Sequence, residues 1–329
     1  MKIIEVIADK SYTDSIKNIA EQNEALDFWV VSGEDETRKV VRILVKPEQR
    51  QSILDALHGM LLASPSARVV VIPIEAVLPR EEEQKEENEI KPTVETTREE
   101  LYNSIGKNAR LNQTYLLLIL LSTVVVAIGL LEDNVAVVIG AMVIAPLLGP
   151  NLALALGTAL GDTDLMWKAF KTGLAGMSLA LALSILIGMF WPLNVESNEL
   201  LARTHVGLDS AVLAMASGAA AVLSLTSGLP SVLVGVMVAV ALLPPAATMG
   251  LMLGAGQMEL AYGAAFLLAV NIVAVNLSAK LGFLIQGIKP RTWLEKEKAH
   301  QSMVSYILIW VITLAILLSV VYFHPNFIK

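Results

Sequence analysis

The chain has 329 residues, is 55% hydrophobic with mean hydropathy +0.62, and carries only 17% charged residues. That balance excludes an ordinary soluble protein of this size, and a net charge of −7 offers no basic surface for nucleic acid. The absence of cysteine excludes disulfides, thiolate nucleophiles and thiolate metal sites, and no cofactor is expected.

Residues 1–112 hold 15 Lys+Arg against 21 Asp+Glu, whereas residues 113–329 hold 9 against 10. A charged head therefore precedes a nearly neutral apolar body. Within the head, residues 1–78 read as a cytosolic α+β domain. Strands are expected at 2–8, 28–32, 39–45 and 67–74, with a helix over 12–22 and turn chemistry at Ser32-Gly33-Glu34-Asp35. Pro47 opens a second helix that sets Ile53, Leu54, Leu57 and Leu61 on one face. The order βαββαβ is the ferredoxin-like arrangement, shared by many ligand-binding modules and by plain docking modules. A small-molecule ligand of this domain is one expectation, and His58 reads as a surface residue.

Residues 79–112 form the next segment. The run 80–96 is too charged to bury. Thr97-Arg98-Glu99-Glu100 then resembles a capping signal for a helix to about Asn112. That helix is amphipathic, so Leu101, Ile105 and Leu111 are expected on lipid headgroups with Lys107 and Arg110 facing anionic lipid.

The transmembrane domain is expected over 113–329. Seven apolar stretches, near 114–131, 135–160, 166–190, 208–228, 232–256, 260–285 and 303–323, approach the roughly 20 residues that cross a bilayer. Lys168, Lys171, Lys280, Lys289, Arg291, Lys296 and Lys298 fall on one side together with Lys107 and Arg110. Only Arg203 and Lys329 fall on the other. The positive-inside bias orients the chain in the cytoplasmic membrane with its N-terminus in the cytoplasm and its C-terminus outside.

Two of these stretches carry the same text 95 residues apart. GAMVIAPLLGP (140–150) aligns with GVMVAVALLPP (235–245), and downstream Gly161 meets Gly256 and Asp164 meets Glu259. Repeat one covers about 114–190 and repeat two about 208–285, with 303–323 as an extra span. Three spans per repeat is an odd number, so the second copy enters from the opposite side and the repeat is inverted. Proline lacks the N–H and clashes with the preceding turn, so both copies are expected to break. Broken backbone at membrane depth survives only where protein or a water-filled cavity covers it.

The runs VVIGAMVIAPLLGP…ALGTALGD (137–162) and VLVGVMVAVALLPPAATMG (232–250), together with the N-terminal module, resemble the family known as domain of unknown function 389. The resemblance covers residues 100–290. It implies a multi-span membrane protein of bacteria or archaea and brings no activity or functional residue with it.

The candidate site follows from the breaks. Gly149, Pro150 and Asn151 at the first, and Pro244, Pro245 and Thr248 at the second, combine exposed backbone with polar side chains. Half-helix N-termini after Pro150 and Pro245 would attract an anion. Carbonyls beside the breaks, including those of Pro146 and Leu243, would hold a cation. Asn271 and Asn276, five apart in the sixth stretch, either line the cavity or bridge helices. Charged groups at mid-depth are missing from most spans, which argues against a proton relay. With no HExxH, Walker or GxSxG motif, no enzyme is expected. Gly157-x-x-x-Gly161, Gly250-x-x-x-Gly254 and the small residues of 211–221 signal close helix packing, within the bundle or between subunits of a homo-oligomer. The expectation is a passive or ion-coupled carrier of a small polar or anionic solute. A channel, or a membrane-anchored sensor or scaffold, is the alternative.

Overall fold

A computed structural model describes residues 1–31, 37–61, 64, 66–74, 97–191, 197–227, 231–288 and 307–320. The expected turn at 32–35, the linker 80–96, and Lys289, Arg291, Lys296, Lys298 and Lys329 lie outside them. The chain divides into two compact units, Met1–Arg98 and Glu99–Lys329.

In the first unit, β1 (Lys2–Asp9) leads through a short 3-10 turn into α1 (Thr13–Gln22), then β2 (Asp27–Val31), β3 (Arg38–Val45), α2 (Pro47–Leu61) and β4 (Arg68–Pro73). The sheet order is β2-β3-β1-β4 with every neighbouring pair antiparallel. Strand side chains alternate between faces, so Ile4, Val6, Val41, Ile43 and Val45 all point to one side. That side is buried against Ile16 and Ala20 of α1 and Ile53 and Leu57 of α2. On the other face Glu5 sits opposite Arg42 and pairs with it at 2.7 Å.

The second unit is helical. It contains α3 (Arg98–Asn108), α4 (Gln113–Leu131), α5 (Val135–Ile144), α6 (Leu148–Leu160) and α7 (Thr163–Phe190). A four-residue turn, α8 (Asn198–Leu201), precedes α9 (Leu208–Thr226), α10 (Ser231–Gly254), α11 (Met258–Ile285) and α12 (Ile307–Val320). Among the described residues four helices are long and apolar enough to cross a membrane, or five if the bent α5–α6 pair is one span. These helices make the chain a membrane protein and fall on five of the seven apolar stretches of the sequence.

Helix α3 departs from expectation. It ends at Asn108, and Asn112 instead caps α4 by accepting the Tyr115 N–H at 2.7 Å. Leu101 and Ile105 are 1% and 3% exposed and belong to the core of the helical unit, so protein covers them rather than headgroups.

Helix lengths repeat. Helices α4 and α9 each have 19 residues and start at 113 and 208, while α7 and α11 each have 28 and start at 163 and 258. Gly161 and Gly256, which precede α7 and α11, share a left-handed backbone with φ of 69° and 75°. Only glycine adopts that corner without a Cβ penalty, and an acidic residue follows in the first turn of each helix, Asp164 and Glu259. Packing is close where small residues meet. Gly250 lies on Ser184, Gly254 on the Ile185 carbonyl, Gly188 on Leu251 and Gly218 on Ser278 and Val275. The small residues therefore serve contacts inside this bundle.

At the α4–α5 turn, Asp133 accepts from the Glu199 N–H at 2.7 Å and the Asn198 amide at 2.9 Å, tying α8 in place. Those hydrogen bonds, the Glu199 N–H first, hold its carboxyl below the usual range. A depressed folded pKa contributes stability above the unfolded value of about 4, lost as pH falls through the folded value. Amide exchange at Glu199 should be flat with pH above about 4, once intrinsic exchange is divided out, and accelerate in stronger acid. Asp133→Ala should show the fast exchange at every pH.

Candidate functional site

The chain bends where Pro146 forces it to. The residue before a proline is pushed out of the helical region, and Ala145 is extended at φ −67°, ψ 119°. The axes of α5 and α6 consequently meet at 54°. The break thus lies at 145–147 and not at Pro150, which sits in the first turn of α6. There its missing N–H is one of the donors that a helix start leaves unused anyway.

The second expected break is absent: α10 runs unbroken through Pro244 and Pro245. Two residues explain the difference. At 241, the position equivalent to Pro146, the second copy has alanine, so nothing forces residue 240 out of the helix. The cost of the two prolines is the loss of donors to the carbonyls four residues earlier, those of Val240 and Ala241. Asn271 on α11 donates its Nδ2 to the Ala241 oxygen at 2.8 Å and replaces one of them. The released carbonyls are therefore Val240 and Ala241 rather than Leu243, whose side chain is fully buried.

A second carboxamide reaches the bend. Asn276 Nδ2 donates to Asn151 Oδ1 at 3.1 Å and to the Ile272 carbonyl at 2.9 Å. Asn151 Nδ2 donates to the Leu147 carbonyl at 2.9 Å, on the last residue of the break. Five residues turn a helix by roughly 140°, so Asn271 addresses α10 while Asn276 addresses α6. Both bridge helices, and together they join the bent pair, α10 and α11.

The oxygens left over define the chemistry. Asn271 Oδ1, Asn276 Oδ1 and Thr248 Oγ1 are buried without a hydrogen-bond partner, on residues 6%, 1% and 0% exposed. Thr248 lies two turns beyond Ala241 on the same face of α10. Thr123, Thr158 and Thr226 bond their hydroxyls to the carbonyl four residues back, and Thr248 does not. Ser184, fully buried beside Gly250, is likewise unpartnered. It was not foreseen: one serine in an apolar run carries no signal of its own.

The start of α6 suits an anion poorly. Pro150 removes one donor from the first turn, Leu147 supplies no side-chain cap, and the Asn108 carbonyl abuts Gly149 so closely that no Cβ would fit. No second half-helix start exists at Pro245. The unpartnered groups are thus uncharged acceptors, suited to a solute that donates hydrogen bonds or to a cation, and Lys280, buried one turn beyond Asn276 on α11, is the ionisable side chain on that face.

The chain matches the family described as domain of unknown function 389 over residues 142–277, which contains Pro146, Pro150, Pro244, Pro245, Asn271 and Asn276. An uncharacterized protein of Methanocaldococcus jannaschii is 37% identical over 298 residues, covering 90% of this chain and 91% of that one. No solved structure matches it.

Proposed function

Because the chain belongs to the family of domain of unknown function 389, whose name carries no activity, we propose from the junction itself that it is a carrier. Its solute is small and polar, and it meets the oxygens of Asn271, Asn276 and Thr248 as a cation or a hydrogen-bond donor. The single observation that carries this reading is the set of unpartnered buried oxygens beside the bent span. Buried acceptors without donors cost about 1–3 kcal/mol each, an expense that a bound solute would offset.

The matched helix lengths and the paired left-handed glycines support reading 114–190 and 208–285 as two three-helix units of inverted topology. The strand order supports reading the first unit as a ferredoxin-like module that modulates flux from the cytoplasmic side. On this reading α12 is a peripheral span, and subunits associate in the cytoplasmic membrane.

Full-length protein in liposomes, tested with alkali cations and small polar metabolites, should give saturable flux. Asn276→Leu should reduce it by roughly 10- to 100-fold, the equivalent of one lost buried hydrogen-bonding group. Unitary currents in a planar bilayer would mark a channel instead. Silence across the panel would leave the anchored-sensor reading.

A further inference from the structure

A second polar feature of the helical unit lies away from the asparagine junction. A pocket of about 510 Å³ opens between α3 and the start of α7. Four of its lining residues are cations, Lys107 and Arg110 from the α3 end and Lys168 and Lys171 from α7, and none is acidic. Its remaining wall is partly apolar, with Leu111 and Leu165. Two acids border it: Asp162 accepts from the Tyr102 hydroxyl at 2.8 Å and from the Leu165 N–H at 2.9 Å, and Asp164 stands in the first turn of α7, four residues before Lys168. Four like charges around one hollow give it a positive potential that attracts an anion.

The depth of the pocket points to the anion. On α7, Trp167 and Phe170 stack at 5.7 Å, both are exposed, and Lys171 Nζ lies 5.0 Å over the Trp167 ring. Exposed Trp beside Lys at the end of a long apolar helix is the signature of the headgroup layer. We propose that this pocket holds a phosphate group, with Lys107, Arg110, Lys168 and Lys171 as its ligands, and that the phosphate is presented by an anionic lipid whose acyl chains lie along Leu111. The inference is independent of solute transport. It assigns a lipid site at the joint between α3 and the bundle.

Full-length protein is reconstituted in phosphatidylcholine alone, in phosphatidylcholine doped with phosphatidylglycerol, and in phosphatidylcholine with inorganic phosphate. The thermal midpoint and the lipid retained after extraction are read in each. Wild type should gain stability and retain phosphatidylglycerol, with an effect that shrinks as salt rises. The combined Lys107→Gln, Arg110→Gln, Lys168→Gln and Lys171→Gln variant should bind it about tenfold or more weakly. Lys10→Gln with Lys17→Gln should behave as wild type. Because all four cations are exposed, the variant should keep the wild-type midpoint in phosphatidylcholine, and Lys107→Gln with Arg110→Gln, or Lys168→Gln with Lys171→Gln, provides a milder step. A shift produced by inorganic phosphate alone would keep the phosphate site but assign it to a free anion. Equal retention by wild type and the fourfold variant, or no response to either probe, overturns the proposal.

Discussion

Replacing Gly188 with leucine should disrupt the α7–α10 contact severely. A Cβ on Gly188 would fall within 3 Å of three backbone atoms of Leu251. Backbone cannot rotate aside as a side chain can, so the helices must separate. On the other side of the same contact, Gly250 and Gly254 are equally tight against Ser184 and Ile185. Overpacking costs about 1–3 kcal/mol where a core can adjust, and more where it cannot, so a loss of at least about 3 kcal/mol is expected. The thermal midpoint of the purified protein should fall by several degrees, and monodisperse yield should drop with it. Gly140→Ala is the control: a Cβ there meets nothing within 4 Å. It should be neutral, or stabilising by up to about 1 kcal/mol. If both variants unfold alike, the close approach of α7 and α10 is wrong.

Asn271→Leu should weaken the protein by about 1–3 kcal/mol and also abolish flux. Leucine has similar bulk, so no cavity opens and the effect is that of a lost donor. The Ala241 carbonyl would then have neither the N–H that Pro245 lacks nor the amide that replaced it. Pro245→Ala restores the intrahelical donor, so the double variant should recover most of the stability lost by Asn271→Leu alone. Flux should not recover with it, because the Asn271 Oδ1 is still missing. A double-mutant cycle on the thermal midpoint, read beside proteoliposome flux, separates the two roles. Additive losses would show that Asn271 and Pro245 do not share a carbonyl.

The apolar runs made the helices legible from sequence, because nothing but a helix satisfies its own backbone over twenty apolar residues. The small sheet was legible from its alternation. The prolines were read too locally. Pro146 bends the chain through the residue before it, whereas Pro150 falls where a helix start tolerates proline. Pro244 and Pro245 sit in an intact helix because a side chain 26 residues beyond the second of them, on a neighbouring helix, supplies a donor. That compensation is tertiary and has no local signature. Asn271 and Asn276 stand out in the sequence as polar residues in an apolar run, but their division of labour between α10 and α6 depends on how the helices pack. The burial of Leu101 and Ile105 depends on packing in the same way, since an amphipathic pattern does not say whether lipid or protein covers its apolar side.

The contact between Asn108 and Gly149 gives α3 a mechanical role. Its last residue leans on the second residue of α6, immediately after the bend, with no room for even a methyl group between them. Any axial displacement of this entry helix would therefore bear first on α6, just past the crease at 145–147.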